Sequence, residues 1–248
     1  MGGAVDEWAE RTMSARVNGF GQPIGPALPD WTPRPPPPRT AMRGRTCRVE
    51  PLDPERHAAD LFSAFAAAPD RRSWTYLGGT LPETEAAYRA ELAAMAAGAD
   101  PLFHAIVDAG DGRAVGLAAY LRIDPANGVI EVGHLHFSTL LARRPAATEA
   151  MALMMARAFD DLGYRRYEWK CDALNAPSRA AALRYGFTFE GVFRNAVVVK
   201  GRSRDTAWFS VTDAEWPRVR AAFRAWLAPE NFSEDGRQRR TLADLRTG

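Results

Sequence analysis

Hydrophobic and polar positions follow the most regular pattern between Gly128 and Phe187. Alternation at a period of two predicts a strand, whereas apolar positions every three or four residues predict a helix. The predicted elements are a strand at Val129–Phe137, a loop at Ser138–Arg144, a helix at Pro145–Leu162, a strand at Arg165–Cys171 and a short helix between Asn175 and Gly186. This β-loop-α-β-α unit implies two neighbouring parallel strands joined by a crossover helix.

The flanking patterns extend this unit into one larger domain. The elements predicted before it are a strand at Thr46–Pro51, a helix from Pro54 to Ala68, a helix at about Pro82–Ala97, and strands at Leu102–Asp108 and Ala114–Ile123. Those predicted after it are strands at Thr188–Phe193, Ala196–Val199 and Arg204–Val211, then a helix that follows a capping box at Thr212–Glu215. The order β α α β β β α β α β β α predicts a mixed α/β fold with a single core.

Composition divides the chain into three regions. Residues 1–44 are rich in Pro and Gly, and because proline fixes φ and lacks a donor, we expect an extended or irregular segment. The apolar side chains within Phe20–Trp31 are expected to dock partly on the domain. Residues 45–228 form the domain itself, and residues 229–248 are a polar tail that we expect to be loosely packed.

Charge, hydrophobicity and cysteine content argue against several classes of protein. The net charge is +2 with 25% charged residues, and no basic run is long enough to indicate a nucleic-acid partner. No apolar stretch approaches the length of a membrane span, and the N-terminus lacks the pattern of a signal peptide. Cys47 and Cys171 are far apart in sequence, which argues against a disulfide scaffold and favours the reducing cytoplasm.

Five short motifs occur in a fixed order within this pattern. They are Glu131-Val-Gly133, Thr148-Glu-Ala150, Leu162-Gly-Tyr164, Asn175-x-x-Ser178 followed by Gly186-Phe187, and Glu190-Gly-Val-Phe-Arg194. Together they resemble the GCN5-related N-acetyltransferase (GNAT) superfamily, and most closely its branch of ribosomal-protein N-terminal acetyltransferases. The resemblance implies a central mixed sheet flanked by helices, acetyl-CoA as cosubstrate, and direct acetyl transfer without a covalent enzyme intermediate.

The loop before the predicted crossover helix is a candidate anion site, because free N–H groups and the positive end of the helix dipole converge there. The resemblance assigns cofactor binding to this loop and to the Asn-x-x-Ser motif. The candidate cofactor residues are Arg143, Arg144, Ala146, Ala147, Thr148, Asn175 and Ser178. Ala146 replaces a usual glycine and Pro145 removes one N–H donor, so we expect weaker or differently placed CoA. The alternative is that the two arginines belong to a solvated loop.

The resemblance also implies a general acid. Many relatives carry a tyrosine seven residues after the Asn, where this chain has Ala182. The branch that this chain resembles uses the serine of Asn-x-x-Ser, which makes Ser178 the candidate acid toward the departing thiolate. Asn175 or Ser178 can equally cap the helix, and the two roles are compatible.

The general base is assigned differently. The branch carries a carboxylate after Gly-Phe, but the corresponding position near Val197 is apolar, which argues against a ribosomal-protein substrate. Glu131 is then the candidate base, directly or through water, because a charge on an apolar strand is costly to bury without a purpose. A structural hydrogen-bond acceptor is the alternative role for Glu131. His134 is a second candidate, since an unperturbed imidazole titrates near neutrality.

These observations predict an acetyl-CoA-dependent N-acetyltransferase that acts on a primary amine of a small molecule or a peptide N-terminus. The alternative is a non-catalytic acyl-CoA-binding regulatory module with the same fold. His134 and His136 lack further ligands nearby in sequence, so no metal is predicted. The acceptor mouth is expected to combine the Trp74–Tyr76 loop, the second helix and the Val197–Arg204 hairpin, and the C-terminal hairpin and helix are candidate homodimer contacts.

Overall fold

The computed structural model describes residues 16–247, and the chain divides into two compact units, Met1–Pro33 and Arg34–Gly248. The described part of the first unit contains β1 (Arg16–Val17) and β2 (Pro23–Ile24), which pair in antiparallel fashion. The docking predicted for Phe20–Trp31 stays a prediction, as do the domain limits at residues 44 and 228. No helix within the described residues combines the length and apolarity that a bilayer crossing needs.

The second unit contains most of the elements that the hydrophobic pattern predicts, but the strands predicted at Thr188–Phe193 and Ala196–Val199 form one continuous strand. Its strands are β3 (Met42–Arg43), β4 (Cys47–Pro51), β5 (Leu102–Asp108), β6 (Ala114–Asp124), β7 (Val129–Phe137), β8 (Arg166–Asp172), β9 (Thr188–Val199) and β10 (Arg202–Thr212). Its helices are α1 (Pro54–Ala66), α2 (Glu85–Ala97), α3 (Pro145–Ala156), α4 (Ala176–Arg184), α5 (Trp216–Leu227) and α6 (Asp244–Thr247), with 3₁₀ turns at Arg72–Trp74 and Pro229–Asn231. The eight strands form one sheet in the order β3-β4-β5-β6-β7-β8-β10-β9.

Helices cover both faces of this sheet, as the predicted mixed α/β fold requires, so the domain has an apolar core on each face instead of the single core expected. On β5, Ile106 lies in the core shared with α3 and α5, whereas Phe103 and Val107 lie in the core shared with α1 and α2. This distribution follows from the alternation of side chains along a strand. The start predicted for α1 is confirmed: Asp53 caps the helix, and its carboxylate accepts hydrogen bonds from the amides of Glu55 and Arg56.

β7 and β8 are the parallel pair in this sheet, and they pair over a short length. Their register runs from Val129 opposite Arg166 to Val132 opposite Trp169. Beyond that point β7 stays paired with β6, and β8 stays paired with β10. A bulge places His134 and the next residue opposite a single residue of β6, and His134 has a φ of 49°. The two central strands therefore separate and leave a V-shaped gap.

Two details of the helices differ from the sequence expectations. The helix predicted to reach Leu162 changes after Ala156 to a π-helical turn at Arg157–Asp161. The predicted capping box is present in part: the Glu215 carboxylate accepts from the amide of Thr212, but the Thr212 hydroxyl also donates to Glu215 instead of accepting from its amide, and α5 begins only at Trp216.

The expectation of a loosely packed C-terminal tail is also wrong. Leu242 is 2% exposed and lies in the core. The Asn231 side chain donates to the carbonyl oxygens of Trp226 and Arg240, and the Trp226 indole donates to Gln238. Leu242 and the buried side-chain amide of Asn231 thus pack the C-terminal segment against the domain, although its overall composition is polar.

Glu149 joins α3 to the turn between β3 and β4. One carboxylate oxygen accepts from the amide of Arg45 at 2.8 Å, and the other accepts from the amide and hydroxyl of Thr46 at 2.6 Å and from the amide of Cys47 at 3.0 Å. Burial by itself would raise the pKa of Glu149, but these hydrogen bonds outweigh burial and lower the pKa. A Cβ at Gly44 would overlap the same carboxylate, so a larger residue there would displace Glu149 from these donors.

We expect Glu149→Gln to lower the free energy of unfolding by about 2 kcal/mol, because the new amide group faces N–H donors. The exposed Glu83→Gln is the matched control and should change it little. The carboxylate stabilises the fold fully above the ordinary glutamate pKa of 4.5, and this stabilisation is lost as the pH falls through the lowered folded pKa. Denaturant titrations should show the difference from wild type shrinking in that acidic range; a constant difference would contradict this account.

Candidate active site

Two cavities in the second unit share a wall where β7 and β8 separate. The smaller has a volume of about 530 Å³ and the larger about 940 Å³. The residues that line both are Ser73, Tyr76, Leu135, Trp169, Asn175 and Ser178. A ligand that reaches this shared wall from one cavity can therefore contact a second ligand that enters from the other.

The larger cavity is strongly basic. Its lining includes four arginines, Arg72, Arg143, Arg144 and Arg184, and contains no Asp or Glu. The N-terminus of α3 opens onto the same cavity, and the first amides of a helix carry a partial positive charge. Guanidinium groups and helix amides are the donors that phosphate oxygens prefer. The chemistry of the donor set therefore fits the phosphates of a nucleotide cofactor.

The residues predicted for the phosphate loop lie at the start of α3. Arg143, Arg144, Ala147 and Thr148 line the larger cavity, and Arg143 adopts a φ of 65° at the turn into α3. The amide of Ala147 donates to the carbonyl oxygen of Arg144 at 3.1 Å, so it already has one partner. Ala146 lines neither cavity and packs in the core instead.

Arg184 is a residue of this cavity that the sequence reasoning missed. Its guanidinium donates to the Thr148 hydroxyl at 3.0 Å and lies 5.1 Å from the ring centroid of Trp226. Cation–π contacts and this hydrogen bond fix the charge next to the start of α3. Ser178, Ala181 and Arg184 are three residues apart and therefore lie on one face of α4. This spacing is the sequence feature from which Arg184 could have been predicted to join the cavity.

Ser178 lies at the shared wall with its hydroxyl already oriented. The Trp169 indole donates to Ser178 Oγ at 3.0 Å, and the Asn175 side-chain oxygen accepts from the Ser178 amide at 3.1 Å. The capping role foreseen for Asn175 is therefore present. Trp169 occupies one lone pair of the Ser178 oxygen, and the hydroxyl hydrogen can be donated to the Cys171 sulfur or to a ligand.

Glu131 lies in the wall of the smaller cavity and is 3% exposed. Its Oε2 atom contacts Arg122 Nη1 at 2.6 Å and Lys170 Nζ at 2.9 Å. Within the described residues, Oε1 has no hydrogen bond. The carboxylate thus has the structural role that the sequence left as an alternative, and it keeps one oxygen that can accept a proton.

Lys170 connects Glu131 to a second buried carboxylate. Its Nζ lies 2.8 Å from Glu168 Oε2 and 3.7 Å from the ring centroid of Trp208, and its side chain is 7% exposed. Glu168 stands directly opposite Glu131 across the parallel pair. Two adjacent buried carboxylates would repel each other without a shared cation. Lys170 therefore supplies the charge that allows both to be buried at the base of the gap.

The two histidines next to the gap differ in environment. His136 is buried, stacks on Phe65 at 3.8 Å between ring centroids, and contacts Ser73 through Nε2 at 3.2 Å. Burial lowers the pKa of His136 to about 4, so its imidazole is neutral at pH 7. His134 lines the smaller cavity, and burial together with the charge of Arg122 lowers its pKa below the ordinary value.

Of the two cysteines, Cys171 lines the smaller cavity. Cys47 and Cys171 are buried free thiols, and burial raises the pKa of each. Across residues 16–247, no group of three or more His, Cys, Asp or Glu side chains is arranged to hold a metal ion. Of the elements expected to form an acceptor mouth, the loop at Tyr76 and the hairpin at Val197 and Arg204 line the smaller cavity, whereas α2 contributes no residue to it.

A split central sheet with a basic cavity on one side of the split and a second cavity on the other is the architecture of an acyl-CoA-dependent transferase. The acetyltransferase (GNAT) domain model matches residues 47–188, more than half of the chain. The chain therefore belongs to the GNAT acetyltransferase family, whose members use acetyl-CoA, and its assignment as an N-acetyltransferase follows.

Solved structures and a curated relative agree with this assignment. A GCN5-related N-acetyltransferase from Brucella melitensis is 51% identical, with a TM-score of 0.87 over 89% of this chain and 100% of that one. A GNAT-family protein from Chromobacterium violaceum is 42% identical, with a TM-score of 0.73 over 79% and 98% of the two chains. YdaF of Bacillus subtilis, provisionally named a ribosomal N-acetyltransferase, is 27% identical over 106 residues, which are 43% of this chain and 57% of YdaF.

We expect Lys170→Met to lower the free energy of unfolding by about 3 kcal/mol, because it removes the one cation that Glu131 and Glu168 share and leaves each with a single arginine partner. Arg220→Met is the matched control, since Arg220 pairs with Asp160 while 38% exposed and should contribute less than about 1 kcal/mol. Urea unfolding of both variants measures the difference. Equal losses would show that the Lys170 cluster is no more than a surface ion pair.

Proposed function

We propose that the protein transfers an acetyl group from acetyl-CoA directly to a primary amine of a small molecule or a peptide N-terminus. The observation that carries the proposal is the wall shared by the two cavities at Ser178 and Trp169. In this proposal the cofactor occupies the larger cavity, the acceptor occupies the smaller one, and the thioester lies between them. Direct attack requires that both reactants meet at one point, and much of the acceleration then comes from their positioning.

The cofactor residues are proposed from charge and strand geometry. Arg143, Arg144 and Arg184, with the first turn of α3, suit the phosphates of acetyl-CoA. The pantetheine arm is an extended chain with amide groups, and the edge of β7 beyond Val132 offers backbone partners for it. An extended chain that binds such an edge does so as an added strand would.

The proposed reaction has one bond formed and one broken at the thioester carbon. The amine nitrogen attacks the carbonyl carbon to form the C–N bond, and the C–S bond breaks to release the CoA thiolate. Ser178 is the proposed acid that stabilises or protonates the thiolate, since Trp169 donates to its oxygen and the hydroxyl hydrogen can turn from Cys171 to the thiolate. The amine loses its excess proton to a general base.

Glu131 is the proposed base, through Oε1 or a water molecule, and His134 is the second candidate. Arg122 and Lys170 hold Oε2 and fix the carboxylate in the cavity wall. The lowered pKa of His134 leaves its imidazole neutral at pH 7, so it too has a free lone pair. If Glu131 is the base, the Glu131→Gln variant has the larger loss of activity; if His134 is the base, the His134→Ala variant does.

A homodimer and a cytoplasmic location complete the proposal. β9 is an edge strand of the sheet, and Val192, Phe193 and Val198 on it are exposed. An exposed apolar edge strand favours pairing with another chain, here a second copy. Sedimentation at twice the chain mass of 27.2 kDa would support the dimer, and sedimentation at 27.2 kDa would exclude it. The buried free thiols of Cys47 and Cys171 fit a reducing compartment.

The direct test combines acetyl-CoA binding with turnover. Acetyl-CoA should raise Tm with a logarithmic dependence on its concentration, and a panel of primary amines should release free thiol. Ser178→Ala should lower kcat by about 100-fold with little change in the acetyl-CoA Kd, because the acid acts on the leaving group. Ser63→Ala on α1 is the control and should match wild type. Binding without thiol release from any amine would contradict catalysis and favour the regulatory module.

The base is tested by pH profiles. We expect Glu131→Gln to lower kcat by about 100-fold with the acetyl-CoA Kd retained, and His134→Ala to lower it less than about 10-fold. Glu168→Gln is the matched control, because Glu168 belongs to the same ion-pair cluster but lines neither cavity. If Glu131→Gln is fully active while His134→Ala loses an acid limb below about pH 6.5, His134 is the base instead.

A further inference from the structure

One wall of the smaller cavity carries three side chains that each have a polar atom without a hydrogen-bond partner. Arg204, Thr206 and Trp208 alternate along β10 and all line this cavity. Each carries a fully buried atom with no hydrogen-bond partner among the described residues: Arg204 Nε, Thr206 Oγ1 and Trp208 Nε1. Thr206 is only 5% exposed. Buried polar groups are nearly always hydrogen-bonded, so three unpartnered groups on one cavity wall leave hydrogen-bonding capacity that a ligand can use.

The character of these groups defines the ligand chemistry. The Arg204 guanidinium and the Trp208 indole are donors only, and the Thr206 hydroxyl can donate as well. A carboxylate is the complementary group, since it only accepts and offers two oxygens to a guanidinium fork. The wall carries one unpaired cation, which matches a singly charged carboxylate better than a doubly charged phosphate.

Charge pairing in the rest of the cavity singles out Arg204. Arg122 and Lys170 also line the cavity, but both are engaged by Glu131. Arg204 forms no ion pair or side-chain hydrogen bond with any residue in the range 16–247. Its charge is therefore the one in this wall that remains available to an incoming anion.

The neighbouring residues fit the rest of such a ligand. Asp172 stands directly opposite Thr206 on β8 and lines the cavity, which provides a carboxylate for an ammonium group. Phe193 stands opposite Thr206 on β9, and its ring lies 4.5 Å from that of Trp208. Phe193, Trp208 and Val197 form an apolar surface beside the charged groups.

We propose that the acceptor is an amino-carboxylate: a small primary amine that also bears a carboxylate and an apolar side chain, as an α-amino acid does. The inference rests on the proposed function and deepens it. Arg204, Thr206 and Trp208 bind the carboxylate, and the amine points toward the shared wall. Its nitrogen forms the C–N bond with the acetyl carbon, CoA leaves as the thiol, and the excess proton of the amine passes to the base.

Matched acceptors isolate the role of the carboxylate. The full chain is assayed with acetyl-CoA and three series, built on phenylalanine, leucine and methionine, each comprising the amino acid, its amide and the corresponding decarboxylated amine. In at least one series kcat/KM for the amino acid should exceed that for the amide and the amine by about 10- to 100-fold, as a charge-assisted contact implies. Amides or simple amines used equally well or better in every series would overturn the proposal.

Variants then assign the preference to Arg204. Arg204→Met should reduce the ratio of kcat/KM values, amino acid over amine, to near one, and Trp208→Phe, which removes only the N–H, should reduce it less. Arg202→Met is the control, because Arg202 is exposed on the same strand and lines neither cavity. The ratio is measured within one protein, so partial loss of folded enzyme cancels. An unchanged ratio in Arg204→Met would contradict the proposal.

Calorimetric binding of the amino acids separates this inference from the proposed function. Binding of an amino acid that weakens in Arg204→Met supports the carboxylate site even if no transfer is detected. A chain that binds acetyl-CoA but neither acetylates nor binds any of the amino-carboxylates overturns this inference and leaves cofactor binding intact. Loss of acetyl-CoA binding in the wild-type chain would instead overturn the proposed function.

Discussion

The site depends on the short pairing between the two parallel strands at the centre of the sheet. β7 and β8 share a register only as far as Val132 and Trp169, and each then remains bound to its outer neighbour. Backbone groups in a sheet normally require partners, so strands that separate leave an edge able to bind an extended ligand. The bulge at His134 turns β7 away from β8 and fixes where the separation begins.

The last paired residues also carry the buried charges. Glu131 and Glu168 face each other across the parallel pair, and Lys170 lies between them just as the strands begin to diverge. The cluster continues through Arg166, which binds both Glu168 and Glu190. Buried ion pairs contribute little net stability, but they require a specific arrangement of partners. This arrangement holds the wall of the smaller cavity in one geometry beside Ser178.

Much of the fold follows from local sequence signals, because strands and helices of this sheet have regular hydrophobic periods. Asp53 as a cap and Pro54 as the first helical residue are examples that the structure confirms. The GNAT motifs likewise locate Asn175, Ser178 and the loop before α3. Each of these signals involves only a few neighbouring residues, so the structure that it specifies can be predicted from the sequence alone.

The rest depends on tertiary contacts that local patterns do not encode. The Glu131–Lys170–Glu168 cluster requires the register of two strands more than thirty residues apart, and Arg184 joins the larger cavity only after α4 packs beside α3. Ala146 turns into the core although it belongs to the predicted loop. The unpartnered groups of Arg204 and Trp208 become visible only when β10 is placed against β8.

A crystal structure of the protein with bound CoA tests the central claim most directly. The account predicts the pyrophosphate next to Arg143, Arg144 and the start of α3, the pantetheine along β7 beyond Val132, and the sulfur within hydrogen-bonding distance of the Ser178 hydroxyl at the wall shared by the two cavities. A sulfur atom remote from Ser178, or CoA bound outside the gap between β7 and β8, would contradict it.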